Sequence, residues 1–376
     1  PLYRAILMDV SLWIRAPLDV QLAYMHHFAR VLPLGSRRLR DVHLIRRLVH
    51  GARAAPFVPV DVINHIASLA LHHYFRPRNI QATVHFITLV LGHTAPSAHT
   101  LGATGPRTDA DTAYPPTACS MALVPRCAMP DARALSMART WLDVLVRIMA
   151  DDARRAAMVA DLVHPKWLLM LVRPGLARDD VPLVLEFVGM LLSTSPSLAQ
   201  NWTRLGGFRV LERTLPPHWD VPCVLPWMWT LLLGPHAPKS SLYHTFAHAT
   251  AVAHPQALRV IVQCMAHGMM ACRTAPAKRR ASLPHIPAPP PGLTALEDSV
   301  RLLVVHSHNE DVRALLMLAP TLVAVLRATA PCFVDEPCGP RVCALCDALV
   351  DMLAACIAEL VLSSHTLTPV SYTHLT

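Results

Sequence analysis

Aromatic side chains are scarce in this chain, at 6 % of residues, although hydrophobic residues reach 53 %. Ala, Leu, Val and Met therefore carry most of the apolar mass, a composition that favours helix over sheet. Long uninterrupted apolar runs are missing as well. Mean hydropathy is +0.35, yet Pro320 interrupts the apolar residues 314–326, and Asp347, Asp351 and Glu359 interrupt 343–362. Neither run offers the ~20 consecutive apolar residues of a membrane span. Such density without a span fits helices buried on two sides, as in stacked arrays. Signatures of catalysis are lacking too. There is no Gly-rich phosphate loop, and Gly206-Gly207 reads as a tight corner between helices. No serine stands in a G-x-S-x-G elbow. No signal peptide is visible. The chain opens on Pro1 rather than Met, so it reads as a piece of a longer protein.

What the chain does have is basic charge. Lys and Arg number 34 against 25 Asp and Glu, a formal balance of +9. A balance of that size suits acidic partners, nucleic acid or anionic lipid; the alternative is charge spread over solvated helix faces. The basic residues form no long run with interleaved aromatics, which makes nucleic acid an unlikely partner. The 10 cysteines are dispersed, and Cys223, Cys264 and Cys356 lie inside apolar helical stretches. That pattern reads as buried thiols in a cytosolic protein rather than as a disulfide framework.

Hydrophobic periodicity predicts an all-α chain: an armadillo/HEAT-like helical-repeat solenoid with two disordered linkers, in helix pairs spaced by roughly 40 residues. A compact irregular bundle is the competing architecture. Residues 1–93 read as an N-terminal helical array, with helices over 2–14, 20–32, 41–49, 60–75 and 80–91, the last N-capped by Asn79. Residues 94–130, rich in Thr, Ala, Pro, Gly and Asp, read as a disordered insertion. Residues 131–272 form an armadillo-like array. In its first helix Arg139, Asp143 and Arg147 fall four apart on the polar face, where they can pair. Asp179-Asp180 starts a later helix whose Pro182 suits only a first turn. Residues 273–295 are a Pro-rich basic linker. Residues 296–364 hold the C-terminal helices, over 296–306, 311–328 and 340–362. Residues 365–376 read as an unstructured tail whose end, from Val370 to Thr376, looks like a translated sequencing adapter.

Four constellations invite chemistry. Cys332, Cys338, Cys343 and Cys346 include one C-x-x-C, but the other pair is spaced too widely for a two-knuckle zinc site, and Val342, Ala344 and Leu345 continue a helix. His244 and His248 are four apart, with His254 beyond, but lack the adjacent Glu of a metalloprotease. With 22 histidines in the chain such pairs arise by chance. His306, His308, Glu310 and Asp311 read as a capped, solvated turn. Ser282, after Lys278-Arg279-Arg280-Ala281, has the form some kinases favour and is a candidate phosphosite in the basic linker.

The most informative stretch runs from Trp202 to Gly234. Together with Trp167 it holds five of the seven tryptophans, and it contains neither paired carboxylates nor a nucleophile beside a base. Gly206-Gly207-Phe208, Leu215-Pro216-Pro217-His218-Trp219, Val221-Pro222, Trp227 and Leu231-Leu232-Leu233-Gly234 resemble the armadillo-like region of BEACH-domain proteins. The likeness is nearest to the fungal beige-like group, with neurobeachin-type proteins as wider kin. Leu2-Tyr3-Arg4-Ala5-Ile6-Leu7-Met8-Asp9 with Leu12-Trp13 and Val20-Gln21 is similar to the opening of that region, and Lys166-Trp167-Leu168-Leu169 to a segment before the Gly-Gly-Phe corner. The likeness covers residues 1–93 and 131–234 and fades after about 240.

This resemblance implies a segment of a very large cytoplasmic scaffold, peripheral on endomembranes through the full-length protein, in vesicle and lysosomal traffic or autophagy. In that family the segment precedes PH-like and BEACH modules; those modules and WD40 repeats are not in this chain. The matched residues would be architectural: Trp167, Trp202, Phe208, Trp219, Pro222 and Trp227 as anchors, and Gly206, Gly207, Pro216 and Pro217 as corner formers. None inherits a catalytic role, and no cofactor is expected. Three functions compete. The leading one is a non-enzymatic scaffold that binds other proteins. The second is a basic helical module for anionic membrane or nucleic acid. The third is a helical metalloenzyme built on His244 and His248 or on the Cys332–Cys346 group.

Overall fold

The structure is a computed structural model that describes residues 16–31, 45–46, 48–49, 59–73, 75–92, 132–236, 239–279, 292–318, 321–323, 325–326 and 340–365. Expectations on the first helix, residues 94–130, Ser282, Cys332, Cys338 and the tail beyond 365 lie outside them. Among the described residues the regular structure is entirely helical, so the all-α class is observed. The chain divides into two compact units, Pro1–Leu205 and Gly206–Thr376.

The first unit contains α1 (Leu18–Val31), α2 (Val60–His73), α3 (Pro77–Leu91), α4 (Ala132–Asp151), α5 (Ala153–Leu162), α6 (Pro165–Leu171), α7 (Val181–Thr194) and α8 (Pro196–Arg204). Proline is abundant, at 34 residues, yet helix persists because many prolines stand where helices begin. Pro77, Pro165, Pro182 and Pro196 occupy the first turns of α3, α6, α7 and α8, where the missing N–H has no intrahelical partner to lose. Side-chain caps mark other starts. Asp152 accepts from the Arg154 and Arg155 amides at α5, His164 from Lys166 at α6, and Ser195 from Leu198 at α8.

The core of this unit is α4, which buries Met137, Ala138, Trp141, Leu142, Leu145, Val146, Ile148 and Met149. It packs against α2, α3, α5 and α7. Helices on both sides of residues 93–131 thus share one core, so the expected boundary between the arrays 1–93 and 131–272 does not divide the packing. The helix α7 is buried nearly all round through Val181, Val184, Leu185, Phe187, Val188, Leu191 and Leu192.

The second unit contains α9 (Gly207–Thr214), α10 (Val224–Leu233), α11 (Leu242–Phe246), α12 (Ala257–Arg279), α13 (Leu293–His306), α14 (Glu310–Leu316) and α15 (Pro340–His365). Its centre is formed by α10, α12 and α13, which pack on one another, with α9 against α12, α11 against α13, and α15 against both α12 and α13.

Several expected boundaries move. The third helix starts at Pro77 with Arg76 as N-cap, not after Asn79; proline pre-sets the first-turn geometry, so the start falls earlier. Asn79 is fully buried instead, and its Oδ1 accepts from the Ile45 amide at 3.5 Å. The linker expected from 273 is helical to Arg279, because Ala275, Ala277, Lys278 and Arg279 are strong helix formers around the single Pro276. It ends earlier too, as α13 begins at Leu293 after Gly292. The helix expected over 311–328 is interrupted: it stops at Leu316, where Met317 closes it shortly before Pro320, and helix returns at 321–323 and 325–326.

Among the described residues no single helix is long and apolar enough to cross a membrane; the apolar pair Arg178–Thr194 and Pro196–Arg204 is bent by 115°.

Candidate functional site

The polar groups that the fold brings together are interhelical fasteners. In the first unit the Trp141 indole Nε1 donates to Asn64 Oδ1 at 3.0 Å, and Asn64 Nδ2 donates to Thr140 Oγ1 at 3.3 Å. This ties α2 to α4 inside the core, where an unmet indole donor or amide would cost about 1–3 kcal/mol. Arg139 does not pair with Asp143. Its Nε and Nη2 grip Asp180 at 2.5 and 3.1 Å, with the carboxylate 3 % exposed. That hydrogen bond, with the Asp179 and Asp180 charges, outweighs burial and raises the guanidinium above its ordinary range. Asp143 pairs with Arg147 at 2.8 Å, as the i, i+4 spacing predicts.

In the second unit a polar cluster joins α10, α11 and α13. The Trp229 indole Nε1 donates to Ser299 Oγ at 3.1 Å, and its ring lies 5.8 Å from that of His306. His306 Nε2 donates to the Phe246 carbonyl at 3.0 Å, and the Tyr243 amide donates to Asp298 Oδ2 at 3.3 Å. Ser299, His306 and Asp298 are all buried on one helix, yet they do not act on each other as nucleophile, base and orienter. The serine oxygen is held by an indole, the imidazole proton by a backbone carbonyl, and the carboxylate by a backbone amide and Arg301, 3.9 Å away. Burial pulls His306 below its usual range, against the opposing effect of the Phe246 carbonyl. The expectation of a capped, solvated turn is corrected at His306 alone: His308, Glu310 and Asp311 are exposed, and Asn309 accepts from the Asp311 and Val312 amides.

The residues of the resemblance are placed as follows. Trp202 is fully buried, and its indole Nε1 meets no hydrogen-bond partner. Gly206 has φ +78 and precedes α9, a left-handed corner that a side chain would strain. Gly207 and Phe208 are buried, and Phe208 lies 6.0 Å from the His254 ring. Pro216 begins a 3₁₀ turn, Pro216–His218, that delivers Trp219 onto α12. There Gly268 leaves the room: a Cβ on it would stand 2.8 Å from the indole. Trp227 is only half-buried and Pro222 is exposed, so neither anchors the core. The anchor of α10 is Trp229, which is fully buried and lies four residues from the buried Leu225 and Leu233. The spacing Leu225, Trp229, Leu232 carried that signal. Trp167 is half-buried, 5.8 Å from the His85 ring.

The metal candidates do not assemble among the described residues, where no group of three or more His, Cys, Asp or Glu converges. His244 is exposed on α11, but the helix ends at Phe246 and His248 falls in the following turn, so the shared face expected of the pair is lost. His254 packs on Phe208 and is lowered by burial. Cys343 and Cys346 lie within α15 with Cys346 buried, and Cys264 is buried in α12, where desolvation raises its thiol far above the usual range. Such thiols are poor nucleophiles.

These features define an all-α protein whose buried polar groups fasten helices. Comparison of the chain with known protein families, characterised proteins and solved structures returns no match.

Proposed function

We propose that this chain is a non-enzymatic helical-repeat scaffold, a segment of a large BEACH-type protein that holds partner proteins in vesicle or lysosomal traffic or in autophagy. It would act in the cytoplasm, peripheral to endomembranes through the full-length protein. One observation carries the reading: within each unit the helix pairs that pack most extensively stand no more than three described helices apart along the chain. Stacked hairpins of a repeat array have this property, because each pair buries its apolar face only on its neighbours. The resemblance adds to it, since Trp202, Phe208 and Trp219 are buried beside the Gly-Gly and Pro-Pro corners, as structural anchors would be. An array of this kind offers an extended outer surface, and partner binding belongs there.

The test is the reading frame of the transcript in both directions. A frame that continues into PH-like, BEACH and WD40 modules supports the proposal. A frame that closes soon after residue 376, or that continues into a catalytic domain of another class, overturns it.

A further inference from the structure

Basic side chains of the first unit meet where the end of α2 adjoins the starts of α3 and α5. Four arginines belong to this end, Arg76, Arg78, Arg154 and Arg155, with the side chains of His72 and His73 beside them. They come from three elements that packing holds together, since α3 packs on α5 and the Arg155 guanidinium lies 5.3 Å over the Phe75 ring. The arrangement runs against ordinary helix electrostatics. A helix N-terminus carries partial positive charge and favours acidic neighbours. Neither α3 nor α5 has an acidic residue in its first turn, and each carries arginine there, Arg78 in α3 and Arg154 with Arg155 in α5. The α3 start also lacks a side-chain cap. Asp152, which caps α5 and pairs with Arg155 at 3.3 Å, and the exposed Asp151 beside it offset part of this. Among the described residues Arg76 and Arg154, both exposed, meet no carboxylate.

We infer that this end of the first unit is a docking surface for an acidic peptide segment of a partner protein. The inference rests on the scaffold reading and assigns it a surface. Carboxylates along an extended segment would pair with the exposed arginines at the starts of α3 and α5, and arginine donates to carboxylate in a bidentate fork. Nucleic acid fits less well, because strand binding uses free aromatic faces for base stacking, and Arg155 already covers a face of Phe75. A membrane surface fits less well, because interfacial binding buries several apolar side chains, and α5 offers one, Met158.

The experiment measures binding of a fluorescent oligo-glutamate peptide to the full chain by anisotropy, at rising salt. The wild type is expected to bind, more weakly as salt screens the charges. Arg76→Glu with Arg154→Glu is expected to weaken binding by about tenfold or more. Arg209→Glu with Arg213→Glu, an exposed basic pair on α9, is expected to leave it unchanged. If the reversed variant loses its helical circular dichroism, Arg76→Gln with Arg154→Gln makes the same comparison with less repulsion at the helix starts. The inference is overturned if the wild type ignores the peptide, if charge reversal at 76 and 154 changes nothing, or if reversal on α9 weakens binding equally. It is also overturned if phosphatidylserine vesicles or oligothymidylate bind through Arg76 and Arg154 more tightly than oligo-glutamate does. A reading frame without BEACH modules would sink the family proposal and leave these titrations intact, so the two failures are distinguishable.

Discussion

Trp141, Trp202 and Trp229 are all fully buried and differ in what their indole nitrogens meet. Trp141 donates to Asn64 and Trp229 to Ser299, while Trp202 has no partner. Replacing each with Phe removes similar volume, so the cavity cost is comparable and the hydrogen bond decides the difference. Trp141→Phe and Trp229→Phe should each cost about 1–2 kcal/mol more than Trp202→Phe, read from urea midpoints. Equal losses in all three would show that the two indole bonds contribute nothing. Gly268 gives a second prediction. Ala would gain about 1 kcal/mol in helix propensity, but its Cβ would press within 2.8 Å of Trp219. Overpacking of that kind costs about 1–3 kcal/mol. Gly268→Ala should destabilise the wild type and be neutral or stabilising in a Trp219→Ala background. Additive effects in that double-mutant cycle would sever the contact. Neither contact was legible in the sequence. The resemblance implies an anchor at Trp219, but its seat on a glycine 49 residues later is set by tertiary packing.

Helices were legible where local chemistry marks them. The apolar stripe of α4 and the proline in the first turn of α7 follow from period and punctuation. What local chemistry does not encode is the partner of a polar group. Arg139 reads as a member of an i, i+4 ladder, yet Asp180, 41 residues on, takes it. Breaking this pair from the two sides should not be symmetric. Arg139→Leu leaves a carboxylate buried without its cation, whereas Asp180→Asn leaves a half-exposed arginine that water can reach. Arg139→Leu should therefore cost more, by about 1 kcal/mol or more after allowance for solvent at the arginine. Equal costs would mean that Asp180 finds other donors. His306 likewise reads as one of many solvated histidines, and only the assembled unit shows it buried between Trp229 and Phe246. Its folded pKa lies below the ordinary value of 6.5, so below that pH the unfolded chain binds the extra proton more readily. Its contribution to stability is complete above the ordinary value and is lost as pH falls below it; His254 acts in the same direction. The urea midpoint should fall between about pH 7.5 and about pH 5.5, and fall less in His306→Gln, whose amide keeps a donor for the Phe246 carbonyl. An equal fall in that variant would assign the pH dependence to other groups.

For the whole molecule the question is whether the helices form an array that tolerates loss of its end or a bundle that does not. In the second unit α15 packs on α12 and α13 and pairs Glu359 with Arg313 of α14, and it buries Val342, Leu345, Cys346, Leu349, Met352, Leu353 and Cys356. If stability is a sum of neighbour interfaces, deleting residues 340–376 removes those interfaces and leaves α9 to α11 with their own partners. The truncated chain should then lose helical circular dichroism in proportion to the helix removed and still unfold cooperatively, at a lower urea midpoint. In a closed bundle each helix completes a common core, and the same deletion would leave the second unit without a cooperative transition. The newly bared faces of α12 and α13 invite association, so the comparison belongs at low protein concentration, with light scattering recorded beside it. A truncated chain that stays monomeric but melts without cooperativity would reject the stacked-array architecture and, with it, the main support for the scaffold proposal. Retention of a sharp transition would favour neighbour-by-neighbour stabilisation, the property that lets a scaffold be long without being unstable.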